Sequence, residues 1–270
     1  MQPLSASEIL RLWEWGSAGV RPIDRDLALL SLACPGVSRE VLSHLPLGAR
    51  DKQILRLREM SFGRVLAAYT ECPQCNEGVE FSFSGEDIMP DAMDGVPDLD
   101  VLLGSTNKNC VNEAQLNEKL SLIVRLYELD KDNCQIKFRL PNSTDLLALK
   151  NDLDTSTATD FILQRCVSQV VVKGEQTSLD HLPLSVQEEV IEQMAEYDSH
   201  ADILLSMTCP ACAHKWHSVF DIGEYLWREI STQTRRLIQE VATLAQGYGW
   251  SESEILSMSE TRRRLYLEVL

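Results

Sequence analysis
Apolar positions in the first 70 residues recur at helical spacing in short runs punctuated by proline and glycine. Ser5-Ala-Ser-Glu8 has the form of a capping box ahead of Ile9, Leu10, Leu12 and Trp13, and Gly16 stops that helix. A second helix is expected from Asp24 to Cys34, ended by Pro35-Gly36, and Ser38 can cap a third. From Asp51 to Tyr69 the residues Ile54, Leu55, Leu57, Phe62, Val65 and Leu66 keep near-helical spacing, which predicts a fourth. The period then changes. Val79-Glu-Phe-Ser-Phe83 alternates as a strand, and Gly85 to Asn112, rich in Asp, Gly, Pro and Asn, reads as a loop or insertion boundary.

Two further strands are expected at Leu122–Tyr127 and Gln135–Leu140, joined by a turn at Asp130-Lys-Asp-Asn133. Helices are expected at Thr144–Lys150, Thr157–Gln169 and Ser185–Tyr197, the last with Ser185 and Glu188 as a capping box. Ala201–Thr208 and Trp216–Phe220 read as strands. A long helix from Gly223 to Ala245 carries Leu226, Ile230, Leu237, Val241 and Leu244 as an apolar stripe broken at Gln233. Gly247-Tyr-Gly249 ends it, Ser251 and Glu254 box a short helix with Trp250 placed to staple onto Ile255, and a last helix runs from Glu260 to Leu270.

Composition narrows the class of function. With 25 basic and 41 acidic residues the 270-residue chain has a net charge of −16, so it lacks the cationic surface that displaces counterions from phosphates, and nucleic acid is not an expected partner. A chain of this length can bury about 75% of its unfolded surface without a disulfide scaffold. No apolar run is long enough for a membrane span or an export-signal core, which predicts a soluble, cytoplasmic protein with no membrane insertion. The basic residues Arg50, Lys52, Arg56, Arg58 and Arg64 are expected on a solvated helix face.

Four of the eight cysteines form the matched motifs Cys72-Pro-Gln-Cys75 and Cys209-Pro-Ala-Cys212. Phe81 and Phe83 follow the first motif, and Phe220 lies eight residues beyond the second, as Phe83 does beyond the first. Two thiolates three positions apart on a tight knuckle can reach one metal, and a second knuckle completes a tetrahedron of soft ligands, which predicts a closed, structural zinc site. The 133 residues between the motifs exceed an ordinary ribbon spacing, so the expected architecture is a discontinuous zinc ribbon with a domain inserted between its hairpins. Redox chemistry is the competing reading, but redox pairs start at a helix N-terminus and these pairs lie between strand-like segments. His214 or His217 could replace a thiolate or help form an open catalytic centre. Cys34, Cys110, Cys134 and Cys166 read as small core or loop residues. No phosphate-binding loop, His-Glu-x-x-His or Gly-x-Ser-x-Gly occurs, so neither an enzyme nor a small-molecule substrate is expected.

The fold class is therefore α+β, with a helical segment at 1–70, the ribbon at 71–85 and 201–222, an inserted α+β domain at 86–200 and a helical segment at 223–270. The runs Tyr225-Leu-Trp-Arg-Glu-Ile230, Glu240-Val-Ala-Thr-Leu-Ala245, Tyr248-Gly-Trp-Ser-Glu-Ser-Glu-Ile-Leu256 and Arg263-Arg-Leu-Tyr-Leu267 resemble a family associated with T-even-type phage baseplates and related contractile injection systems. Gly48-Ala-Arg-Asp51, Leu57-Arg-Glu59, Phe62-Gly63, Arg139-Leu-Pro141 and Asp145-Leu146 are similar to the same group. The resemblance implies a structural protein whose partners are other baseplate or tail proteins, carried in a phage-tail-like particle or acting as an assembly chaperone absent from it. On that reading Trp227, Tyr248, Trp250, Arg262, Arg263 and Arg264 are expected to be exposed anchors for neighbouring subunits. Zinc knuckles commonly carry glycine after the second cysteine, where this chain has Asn76 and Ala213.

Overall fold
The N-terminal helices form where the apolar periodicity places them: α1 Ala6–Gly16, α2 Pro22–Ala33, α3 Arg39–Ser43 and α4 Leu47–Phe62. The Ser5 capping box is present, with the Ser5 backbone N–H donating to the Glu8 carboxylate at 2.8 Å. In the computed structural model, which describes residues 1–89, 120–121, 123–131, 133–150 and 152–270, helix and antiparallel sheet are mixed, giving an α+β fold.

The expected helix to Tyr69 ends early. Gly63 takes φ +94°, a conformation closed to most side chains, and the chain leaves α4 to run as β1 Val65–Glu71 against β2 Gly78–Ser84, with Val65 opposite Ser84 and Glu71 opposite Gly78. Gly85 does not begin a loop but a single turn, α5 Gly85–Ile88, held by the Ser84 N–H donating to Asp87 at 2.7 Å. The remainder of the expected loop, from residue 90 to 112, lies outside the described residues, as do Cys110 and Leu122.

The middle of the chain builds its own sheet, in the antiparallel order β3 Leu126–Lys131, β4 Cys134–Arg139, β5 Val167–Val172, β6 Glu175–Gln176. β3 thus starts four residues later than expected and takes in Asp130. Around the sheet lie α6 Ser143–Ala148, α7 Thr155–Cys166 and α8 Leu184–Tyr197. The helix expected to reach Gln169 stops at Cys166, because Val167–Val172 pairs with β4 and buries Val170 beside Ile136 and Phe138; cross-strand packing overrides local propensity there. Ser185 does not cap α8. That helix starts after Pro183, and its N-cap makes no side-chain bond. Phe138, Leu163, Val186, Val190 and Met194 complete an apolar cluster distinct from the one formed by the N-terminal helices.

The chain then returns to the N-terminal half. β7 Leu204–Thr208 pairs with β8 Lys215–Val219, followed by α9 Ile222–Tyr248, α10 Glu252–Ser257 and α11 Glu260–Val269. Leu226, Ile230 and Leu237 of α9 bury into the cluster of Leu27, Leu30, Leu42, Ile54, Leu57 and Leu66. Two residues of the supposed solvated face belong inside. Arg58 is only 3% exposed, and its guanidinium grips Glu229 of α9 through two bonds of 2.7 and 2.8 Å. Arg50 is buried beside Asp51. Cys34, Cys134 and Cys166 are buried as expected.

Candidate metal centre
Each cysteine motif sits at the tip of a two-stranded hairpin, and the two tips share one hydrogen-bond pattern. At the first, Asn76 N–H donates to Cys72 O at 2.9 Å and Cys72 N–H to Glu77 O at 2.9 Å; at the second, Ala213 N–H donates to Cys209 O at 3.0 Å and Cys209 N–H to His214 O at 2.8 Å. Asn76 and Ala213 hold φ of +59° and +58°. The left-handed turn that glycine usually supplies is therefore present without glycine. Below the tips Phe83 and Phe220 meet edge to face, with centroids 5.2 Å apart, and Phe81 stacks on Phe83 at 5.8 Å.

This duplication brings the four thiols together from opposite parts of the chain. Cys72 and Cys212 Sγ are 3.7 Å apart, Cys75 and Cys209 Sγ 3.5 Å, and all four lie within 4.8 Å of one another. A tetrahedron of sulfurs about 2.3 Å from a central zinc has edges of about 3.8 Å, so the cluster has the size of a four-thiolate metal site. Cys72 and Cys209 are buried, Cys75 and Cys212 exposed. The thiols perturb one another. The Glu77 N–H favours the Cys75 thiolate, yet hydrogen bonding among the sulfurs and desolvation outweigh it and push the Cys75 thiol up to about 12. The backbone N–H groups of Cys212 and Ala211 bring Cys209 down to about 7. A set of thiols that cannot all ionise unaided is a set that a divalent cation can fully deprotonate.

The histidines stand aside from this cluster. His214 stacks on Trp216 at 6.0 Å, and His217 Nδ1 faces Ser206 Oγ at 3.3 Å; among the described residues the only group able to hold a metal is the four cysteines. Both knuckles lie between strands, not at a helix start.

The residues expected as exposed anchors divide. Trp227 is buried, packed on Gly16 with the Arg25 guanidinium 4.7 Å over its ring. Arg263 is buried too, donating to Glu240 at 3.0 Å and to Met258 O at 2.7 Å. Their expected exposure is corrected: apolar contact and ion pairing within the chain consume both. Tyr248, Trp250 and Tyr266 form a half-buried aromatic group, Tyr248 and Trp250 stacking at 4.4 Å, with Arg262 exposed over Tyr266 at 5.6 Å. Arg264 is exposed and pairs with Glu260 at 2.8 Å.

A second polar cluster escaped the sequence reading. Asp26, Asp51 and Asp198 gather around Arg50, and burial raises them to about 7, 6 and 6 against the lowering charge of Arg50. The signal was available for Asp26, which shares a helical face with Leu30 and Ala33, both fully buried.

A family model described as T4 bacteriophage base plate protein matches residues 30–227, well over half the chain and spanning both cysteine motifs. Comparison with the curated proteins and with the solved structures found no match.

Proposed function
The chain belongs to the T4 bacteriophage base plate protein family, and from that premise we propose that it is a structural component of a phage tail or related contractile injection system, stabilised by one zinc ion. The family supports a structural role in a phage particle and contacts with other baseplate proteins, and it favours a non-enzymatic reading. No helix among the described residues is long and apolar enough to cross a membrane.

The convergence of four sulfurs at tetrahedral spacing carries the zinc reading. Cys72, Cys75, Cys209 and Cys212 would hold the ion, leaving no position for water, so its contribution is to folding. On this reading residues 71–85 and 201–222 form a discontinuous ribbon, 86–200 an inserted domain, and 1–70 and 223–270 the helical flanks that the ribbon binds together. The exposed Arg262 and Arg264 and the aromatic group of Tyr248 and Trp250 are the remaining candidates for contact with neighbouring subunits; Arg263 supports that surface from beneath, while Trp227 lies about 30 Å away near the start of α9.

Metal content and thermal unfolding test the zinc site. The purified chain is expected to hold one zinc, and Cys75→Ser and Cys209→Ser to lose it together with a large part of the unfolding midpoint. A wild-type chain that is metal-free and as stable as either variant overturns the site. Composition of purified particles tests the component reading, since a chain needed for assembly but missing from finished particles is a chaperone.

A further inference from the structure
Between the end of α3, the segment before β3, the start of α6 and the last turn of α7, two adjoining pockets open at the surface. The larger has a volume of about 480 Å³ and is lined by His44, Arg139, Asn142, Thr144 and Arg165 among others; the smaller shares His44, Arg139 and Asn142 and adds Arg125. Among the described residues neither is lined by a single Asp or Glu, although the chain carries 41 acidic residues against 25 basic ones.

Among the described residues, the carboxylate that the lining arginines bind is already committed. Asp145 is fully buried and accepts from Arg139 Nη1 and Nη2 at 2.7 and 2.8 Å, from Arg165 Nε at 2.9 Å and from Asn142 N–H at 3.0 Å. Arg139 spends its remaining terminal N–H groups on the carbonyls of Leu140 and Arg165. Arg165 does not. Its side chain is 38% exposed, and only Nε donates to a described residue, so its two terminal nitrogens remain for a ligand. His44 uses Nδ1 on Glu40 O at 2.8 Å, leaving Nε2. Two guanidiniums share one carboxylate, and the surplus positive charge faces the cavity.

We propose that this cavity docks an acidic segment of a partner subunit, with one carboxylate of that segment taken by the free fork of Arg165 beside His44. The proposal rests on the reading that the chain works through protein contacts. A guanidinium fork matches a carboxylate in shape as well as charge. A phosphodiester chain would need a row of cations along its path, whereas here the terminal nitrogens of one guanidinium face an open surface pocket on an acidic molecule.

The test uses the full chain and a fluorescent hexaglutamate peptide, read by anisotropy at low and at physiological salt. Saturable binding that weakens with salt is expected, falling about tenfold in Arg165→Ser and partly restored in Arg165→Lys, as for the loss of one close charge pair. Thr144→Asp, which sets a carboxylate at the cavity wall and leaves the Asp145 pairs intact, is expected to block the peptide as well. The proposal is overturned by a wild-type chain that ignores the peptide, by binding unchanged in both folded variants, or by tighter binding of a single-stranded oligothymidylate. A chain found in purified particles that nonetheless fails to bind hexaglutamate removes the docking site and leaves the structural role standing.

Discussion
Ala213 holds a backbone conformation that its side chain resists. At φ +58° the Cβ crowds a carbonyl oxygen, at a cost of about 1–2 kcal/mol, whereas asparagine at the matching Asn76 tolerates the region well. Ala213→Gly is therefore expected to stabilise the protein by about 0.5–1 kcal/mol in urea unfolding, glycine's greater freedom in the unfolded chain offsetting the rest, and Asn76→Gly to change little. Arg58 shows what spacing can and cannot reveal at this scale. Its position three and four residues after Leu55 and Ile54 places it on the buried face of α4, so burial was readable. Its partner was not, since Glu229 is 171 residues away. Arg58→Ala strands that carboxylate at the edge of the core and is expected to cost about 3 kcal/mol, with Glu229→Gln milder.

Helix α4 takes its N-terminal cap from elsewhere in the chain. Pro46 offers no side-chain acceptor, and both oxygens of Asp198, beyond the end of α8, accept from the Gly48 N–H at 3.1 Å. A Cβ at position 48 would run into Asp198 and the backbone of Ala201, so glycine is what allows this close approach. Loss of the cap in Asp198→Ala is expected to cost about 1–2 kcal/mol in chemical denaturation. Local caps such as Ser5 and Ser251 were legible because donor and acceptor are three residues apart; a cap supplied across 150 residues leaves no such trace. The same limit explains β1 and β5. Val65–Glu71 and Val167–Val172 each follow a helix, and only pairing with β2 and β4 decides that they are strands.

Across the whole molecule, Asp26, Asp51 and Asp198 join α2, α4 and the end of α8 in one buried group, faced by Arg25, Arg50 and by Asp221 before α9. Unfolded, these carboxyls titrate near pH 4, while folded they do so at about 7, 6 and 6. Between about pH 4 and 7 the native chain thus holds protons that the unfolded chain has released, so stability falls as pH rises through that window. The thermal midpoint is expected to drop between pH 5.5 and 8, and Asp26→Asn to flatten the drop; an unchanged slope in that variant would assign the effect to the general acidic repulsion of a chain at −16. At this scale the meeting of the cysteine motifs was readable from their likeness alone, while the buried charges that fasten the helices around them were not. Cys72 and Cys212 are 140 residues apart, and a ribosome adding about 5–20 residues per second delivers the second half of the cluster roughly 7–28 s after the first. During that interval the nascent protein carries an unfinished pair of thiols, and a product broken off in between keeps it for good. The four sulfurs thus meet only in a chain synthesised past both motifs, so the cluster at the hairpin tips also reports that translation ran to their end.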